Sequence, residues 1–493
     1  TLPPAAAFTV GAIPAGTWRR PPVADPTWQL AFRGLTWVKP LARRAAADGQ
    51  RRSLDALVRQ TSLFHRLNPD PGSSGYGWDE GTALRRLETE NCLFALTRSV
   101  ALIPGMVADV RVLAGKRYYG PPHRAVHNHG LMANLQLLRA GDLLRRPRWK
   151  RLAIGRIVAE APQAFSRQGI SLEQSSMYQR ANAGLWRQAA VALSAFPEYA
   201  PAAAAIRADA DNADRMFSLM TEPDGRITQI GDAEELAGRP RDFLGVQAVR
   251  DDESGWVIGR WPGRRATHYT VRYGPERRAH GHEDRAGGVT WSAMGVRVLV
   301  GPGRYSYDKA DPYNRYQTRP DGQNVAVPAG GVVQGGTSVV TSTFGPARHS
   351  VEVRDTVYGP AHVRGVTVDP VTPRLVVSDS FEDTGSWRQH WHLDPRWVRV
   401  PGATLTFRHP AGRTLTITTT GRVARVVRGA AEGPYGWHFP RFQVREPSYQ
   451  IMVDNDGHHC TTTFRLSITA PPRRPHDPSG RPSSLATALT SRR

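Results

Sequence analysis

The stretch FSLMTEPDGR, Phe217 to Arg226, marks where a helical hydrophobic pattern gives way to strand-length runs. Upstream, from about Pro26 to Met220, apolar residues recur at helical spacing. Leu84, Leu87 and Phe94 share one face, and Leu131, Leu135 and Leu138 share another. Pro and Gly punctuate this half at ALIPGM, YYGPPH, RRPRW and FPEYAP, which predicts seven or eight helices arranged as antiparallel hairpins. Downstream, THYTVRY, SAMGVRVLV, TSVVTSTF, HSVEVRDTV, RLVVSDSF, TLTFRH, TLTITTT and RVARVVRG are short runs rich in Val and Thr, separated by turn residues. They predict an antiparallel β domain of a dozen or more strands. An all-α half before an all-β half, with no βαβ alternation, argues against a nucleotide-binding α/β enzyme. The expected division is a helical domain over 1–235, a β domain over 236–470 and a Pro/Ser/Arg-rich, disordered tail over 471–493.

A chain of 493 residues exceeds what one hydrophobic core supports, in keeping with two domains. Hydrophobic residues at 40% and charged residues at 22% give a globular rather than a disordered composition. The balance of 65 Lys+Arg against 43 Asp+Glu leaves a net charge of +22. Only Lys39, Lys116, Lys150 and Lys309 are lysines, the mark of a GC-rich coding bias. That bias explains arginine over lysine but not the excess over acids, so a polyanionic partner is expected: nucleic acid, anionic lipid or acidic polysaccharide. Cys92 and Cys460 are too few for a disulfide framework or a cysteine zinc site, so any metal chemistry must use His, Asp or Glu. No apolar run is long enough for a membrane span. GxxxxGK[ST], GxSxG, HExxH and CxxC are all absent, which disfavours Walker-type phosphoryl transfer, α/β-hydrolase chemistry and zincin proteolysis. RRPRWKRL, Arg145 to Leu152, is the nearest thing to a nucleic-acid stripe and reads as a solvated turn between helices, so no nucleic-acid partner is expected.

Three polar clusters exceed what core patterning needs. In AVHNHGLMANLQLL, Asn128 sits between His127 and His129 ahead of an apolar helix. An N-cap explains the asparagine but not the two histidines. GISLEQSSMYQRANAGLW crowds Glu173, Gln174, Ser175, Ser176 and Tyr178 into a helix start, where a capping arrangement with a partly buried tyrosine is the plain alternative. In RYGPERRAHGHEDRAGG, His280, His282 and Asp284 alternate. On a strand they project from one face, and in a loop they can converge on a ligand; a bare H-x-H-x-D is also compatible with a solvated hydrogen-bonding ladder.

Taken in order, these clusters resemble the heparinase II/III-like polysaccharide lyases and the related alginate lyases. The likeness runs over nearly the whole chain, from DPTWQLAFRGLTWVKPL and WDEGTALRRLETENCLFAL, through NHGLMANLQLL and EQSSMY, to HGHEDRAGG, VLVGPGRYSYD and GPYGWHFPRFQVREPS. It implies an incomplete (α/α) toroid followed by an antiparallel β-sandwich, a cleft between them, and β-elimination as the chemistry. On this resemblance Asn128, with His129 as a possible helper, binds the uronate carboxylate and stabilises the enolate-like charge. Tyr178 is the acid for the leaving oxygen, and a nearby cation would let it serve as base too. His280 is the base for the opposite C5 epimer or the partner tuning Tyr178. Glu173, Gln174, Arg285, Arg304 and His392 are expected to contact substrate, and Trp186, Trp291, Tyr305 and Tyr307 are candidates for stacking on sugar rings.

Some members of the family hold a structural zinc. Here His282 matches one ligand, but Gly301 and Gln323 stand where the other two are expected, so no metal or other cofactor is expected, with Glu283 and Asp284 as the only conceivable rescue. The function so implied is a lyase on a uronate-containing acidic polysaccharide, heparin or heparan sulfate first, alginate or an exopolysaccharide second. A non-catalytic polyanion- or carbohydrate-binding protein on the same scaffold is the alternative. A glycoside hydrolase ranks last, because nothing pairs Glu173 with Asp284. The family habit of export, with a chain opening at Thr1, gives a secreted or cell-envelope expectation. Oligomeric state is not legible.

Overall fold

Short polar signals divide the helical half. Asp25 accepts from the Trp28 N–H (2.7 Å) and opens one helix; Asp79 accepts from the Gly81 N–H (2.9 Å) and opens another. Arg98 and Arg145, both at positive φ, turn the chain out of helices, and Pro147 at a first helical position starts the next. In a computed structural model, which describes residues 13–69, 77–115, 127–239, 245–263, 265–336, 338–382, 385–402 and 404–469, these signals produce ten helices among the described residues of this half. They are α1 (Ala15–Arg19), α2 (Pro26–Arg33), α3 (Val38–Ala47), α4 (Arg51–Leu67), α5 (Glu80–Thr97), α6 (Ile103–Ala114), α7 (Asn128–Leu143), α8 (Pro147–Glu160), α9 (Ser176–Leu193) and α10 (Ala200–Leu219). Seven or eight were expected; short helices such as α1 and α2 carry too few turns to register as a period. RRPRWKRL is corrected as well: from Pro147 onward it is the first turns of α8, because proline at N1 leaves its missing N–H without consequence. The YYGPPH break and the tail 471–493 lie outside the described residues.

The helices pair as hairpins, α7 with α8 and α9 with α10, and α5 packs against α3, α6 and α7. Their apolar stripes form one core that includes Trp18, Phe32, Phe64, Leu87, Leu137, Ile154 and Trp186. This is an incomplete (α/α) toroid. Cys92 lies in it and Cys460 in the β half, both as free buried thiols.

The β half is antiparallel. β1 (Gln247–Asp251), β2 (Trp256–Trp261), β3 (Thr267–Arg272), β4 (Gly288–Ala293) and β5 (Val296–Leu299) form a meander in sequence order. Six strands follow, β6 (Ala326–Pro328), β7 (Ser338–Phe344), β8 (His349–Asp355), β9 (His362–Asp369), β10 (Arg374–Phe381) and β11 (Trp387–His392). The rest are β12 (Val398–Arg399), β13 (Thr406–His409), β14 (Arg413–Thr419), β15 (Arg422–Arg428), β16 (Trp437–Arg441), β17 (Val444–Pro447), β18 (Tyr449–Asn455) and β19 (His459–Ile468). An eight-stranded sheet runs β12-β13-β14-β19-β10-β9-β8-β7 and a four-stranded sheet β15-β18-β11-β6. Strict in–out alternation along β9 and β10 turns one face of the large sheet to the core. By contrast β3 and β4 are buried at every position, because their sheet is covered on both sides.

What covers the outer side is the segment from Met220 to Glu235 and the end of the toroid. Ile170, Met216, Leu219, Met220 and Ile230 pack on Trp256 and Ile258 of β2. At the centre of this joint Arg297, wholly buried, lies 2.9 Å from Glu222 and 2.7 Å from Glu235 and donates to Gln229 Oε1 at 3.1 Å. Removing the cation leaves the buried Glu222 without its ion-pair partner, whereas the less buried Glu235 keeps Arg226 at 2.7 Å. Arg297→Met is therefore expected to cost about 3–5 kcal/mol in urea unfolding. A loss under about 1 kcal/mol would mean that the linker docks without this cation.

Candidate active site

The three clusters meet where the helix N-termini face the start of the β half. Helix α7 begins at Asn128, and its cap is His127, whose ring accepts from the His129 N–H. The asparagine is thus not the cap and its side chain is released for other work. Glu173, in the turn before α9, accepts from the Asn128 backbone N–H at 2.7 Å through Oε1 and from Asn128 Nδ2 at 2.7 Å through Oε2. One carboxylate thereby satisfies a first-turn donor of α7, where the helix dipole favours negative charge, and holds the amide. Ser175 does not cap α9; its hydroxyl donates to the Asp232 carbonyl.

His280 and His282 lie in a loop, not on a strand, and both converge on Asp232. His280 Nδ1 is 3.0 Å from Asp232 Oδ2, and His282 Nε2 is 3.1 Å from Oδ1. Burial pushes the Asp232 carboxyl up, but the hydrogen bonds donated by the two histidines, reinforced by positive charge whenever either ring is protonated, outweigh it and hold the group well below the usual carboxylate range. A carboxylate is acceptor-only, so the hydrogen is on Nδ1 in His280 and on Nε2 in His282. The other nitrogen of His280, Nε2, then carries a lone pair, 3.0 Å from Asn128 Nδ2. The orientation of the Asn128 amide follows: Nδ2 faces two acceptors, Glu173 Oε2 and His280 Nε2.

Tyr178, on the first turn of α9, lies flat on His280, with ring centroids 3.4 Å apart and planes 8° from parallel. Its hydroxyl is 3.3 Å from that of Tyr307, which accepts from Arg304 Nη1 at 2.9 Å. Arg304 is itself paired with Glu234. Burial pushes the Tyr178 phenol above its ordinary range, the neighbouring Tyr307 adds to that, and Arg304 opposes it without prevailing. The expectation that a cation lowers this tyrosine is corrected: the cation reaches Tyr307 first.

Other expected contacts fall elsewhere. His129 is half-buried on Glu80 (2.6 Å) at the edge of the cluster. Gln174 touches the loop, not the opening: it accepts from the Arg278 N–H and donates to the Glu276 carbonyl, pinning the segment before His280. Arg285 is buried, donating to the Gly336 carbonyl. His392 is a core histidine held by Asn324, pushed down to about 3 by burial and the adjacent His390. A substrate role for Arg285 and His392 is therefore corrected; sequence proximity to the site did not predict which way each side chain turns. Trp186 and Trp291 are core residues of the toroid and the sandwich, and Tyr305 packs on Tyr313 and Phe439. Tyr307 alone of the four stacking candidates reaches the site, 46% exposed.

Asp232 and Glu234 went unrecognised in the sequence. Their signal is Gly231, at φ 62°, where a Cβ would clash with the carbonyls of His280 and Gln174. The glycine lets GDAEE thread between the other two segments. The Asp232 N–H donates to the His280 carbonyl (2.8 Å), and the His280 N–H to the Glu173 carbonyl (3.2 Å).

The positions where the resemblance places a structural metal do not fit one. His282 is engaged by Asp232, a Cβ at Gly301 would clash with the Gln229 carbonyl, and Gln323 donates to the Gln317 carbonyl. Asp284 faces Arg272 instead, 3.5 Å away. In the centre itself His127, Glu173 and His280 offer ligand atoms within 4.8 Å of one another, and the two Glu173 oxygens accept from the Asn128 backbone and amide.

No family model matches the sequence, and no curated protein matches it. Solved structures do. A heparinase III crystal structure aligns over 92% of this chain and 79% of its own, at 12% identity and a TM-score of 0.76. A mutant heparan sulfate lyase HepC from Pedobacter heparinus aligns over 92% and 79%, at 18% identity and 0.63. The chondroitin AC lyase of Streptomyces coelicolor A3 in complex with chondroitin sulphate aligns over 92% and 83%, at 11% identity and 0.51. At these identities the likeness is one of fold: the chain has the toroid-plus-sandwich fold of the heparinase-like polysaccharide lyases.

The Asp232 clasp is open to direct test by ¹⁵N NMR of the imidazoles. His280 should carry its hydrogen on Nδ1 and His282 on Nε2. An asparagine side chain has only one acceptor oxygen, so Asp232→Asn should abolish the preference in at least one ring. Unchanged tautomers in both rings would show that Asp232 does not set them.

Proposed function

We propose that this chain is a polysaccharide lyase that cleaves a uronate-containing acidic polymer by β-elimination. The observation that carries the reading is the convergence of an amide donor, an imidazole lone pair and an un-ionised phenol on one point of a lyase-type fold.

Each group has a part. The C5 proton of a uronate is weakly acidic while the adjacent carboxylate keeps its full charge. Asn128 Nδ2 donates to that carboxylate and stabilises the charge that develops on it, exchanging its bond to His280 Nε2 for one to substrate. His280 Nε2, so released, takes the C5 proton, with Asp232 accepting from Nδ1–H and steadying the cation that forms. Tyr178, kept as a phenol by burial, gives its proton to O4. The C5–H and C4–O4 bonds break, the C4=C5 bond forms, and the products are an unsaturated uronate at one new non-reducing end and, on the departing fragment, a new reducing-end hydroxyl. Arg304 and Tyr307 hold the Tyr178 hydroxyl at the mouth of the site.

The net charge of +22 supports a strongly anionic polymer, with heparin or heparan sulfate ahead of alginate or an exopolysaccharide. Action outside the cytoplasm, secreted or in the cell envelope, belongs to the same reading, since such polymers are found there. Among the described residues no helix is long and apolar enough to cross a membrane.

The test is ultraviolet absorbance of the unsaturated product over heparin, heparan sulfate, hyaluronan, chondroitin sulfate, alginate and polyglucuronate. One substrate should give a rise. Tyr178→Phe and His280→Ala should each lower kcat by about 10²–10⁴ with little change in KM. No rise on any polymer, with salt-dependent binding retained, would establish instead a polyanion-binding protein on this scaffold.

A further inference from the structure

Within the toroid, helices α4, α5 and α6 bury a second set of ionisable groups. His65 of α4 lies 2.7 Å, through Nε2, from Glu90 Oε1 of α5 and 3.8 Å from Asp109 Oδ2 of α6. Ligand atoms of all three lie within 4.8 Å of one another. Arg86 binds Asp109 through two nitrogens, so that pair is self-neutralising. Glu90 is left over. Its side chain is wholly buried, and no donor reaches Oε2. Two carboxylates against one guanidinium leave the cluster one positive charge short, and an unpaired buried carboxylate is costly.

The surroundings suit a cation. His65 and Glu90 line a half-open cavity of about 430 Å³ whose other walls include Trp78, Leu102, Pro104 and Ala108. The cavity supplies an entry path and room for one water. Gly105 brings the α6 backbone against the donors; a Cβ there would clash with the His65 ring and Glu90 Oε1. Tetrahedral zinc, with bonds of about 2.0–2.1 Å, places its donor atoms roughly 3.3 Å apart. The observed separations of 2.7 and 3.8 Å bracket that value.

We propose that His65, Glu90 and Asp109 form a structural site for a divalent transition-metal ion of the zinc type, cross-linking three toroid helices. One imidazole and two carboxylates are a donor set such ions accept, and the cavity water is the fourth ligand. The competing occupant is a proton held by Glu90.

The full-length protein, stripped with chelator and dialysed, is titrated with Zn²⁺ by calorimetry and with Co²⁺ by visible absorption. One equivalent should bind with d–d bands of a four- or five-coordinate site, and Zn²⁺ should raise Tm. Glu90→Gln, nearly isosteric, and His65→Gln should each weaken binding at least about 100-fold, with the native circular dichroism spectrum as the check on folding. His127→Ala, which removes a donor from the other centre, should leave the signal intact. Anomalous diffraction at the zinc edge should place the ion between α4, α5 and α6. No d–d band and no anomalous peak there, or binding that survives both Glu90→Gln and His65→Gln, would overturn the proposal in favour of a proton.

Discussion

The hydrogen bonds that converge on Asp232 organise everything around them. Three segments far apart in sequence, ending at Glu173, Asp232 and His280, are stitched by main-chain bonds that only a residue without a Cβ at 231 permits. The carboxylate then fixes two imidazoles in complementary tautomers. Because Asp232 belongs to the segment that also pairs Glu222 and Glu235 with Arg297, the geometry of the centre and the docking of the two halves are one structural problem. Loosening either loosens both. A charged network costs desolvation, and it is tolerated here because each member has a partner in place.

The fold was legible where periodicity is strong. β8 and β10 fall on HSVEVRDTV and RLVVSDSF, and their alternation buries Val351, Val353, Leu375 and Val377. The helical half was readable from Leu84, Leu87 and Leu131, which all lie in its core. Legibility fails for short elements and for residues whose meaning is set by distant partners. Pro147 looked like a break because proline is punctuation in both turns and helix starts, and only the backbone that follows decides which.

The centre shows the same boundary. Asn128, Tyr178 and His280 stand out as polar residues in excess of what caps and core need, and the structure brings all three together. Arg285 and His392 were chosen for nearness in sequence or family habit, and both turn into the protein, to Gly336 and to Asn324. An arginine near a site is as well used holding a loop carbonyl as reading a sulfate. Asp232 had no flag at all, since an acid after glycine in a linker is ordinary composition, and its role exists only once the chain has folded.

An acidic residue at the heart of a site proposed for acidic polymers needs a reason, and Glu173 has one. Both its oxygens are consumed, one by the first N–H of α7 and one by the Asn128 amide, so its charge is spread into a helix N-terminus. What remains facing outward is the second hydrogen of that amide, resting on His280 Nε2. The imidazole lone pair and the amide donor therefore satisfy each other. An arriving carboxylate is the stronger acceptor, because it is charged, and takes the hydrogen. The same exchange uncovers the lone pair that, in the proposed elimination, removes the neighbouring proton. On that proposal substrate binding and activation of the base are a single event, and a neutral sugar at this position would find the imidazole still occupied.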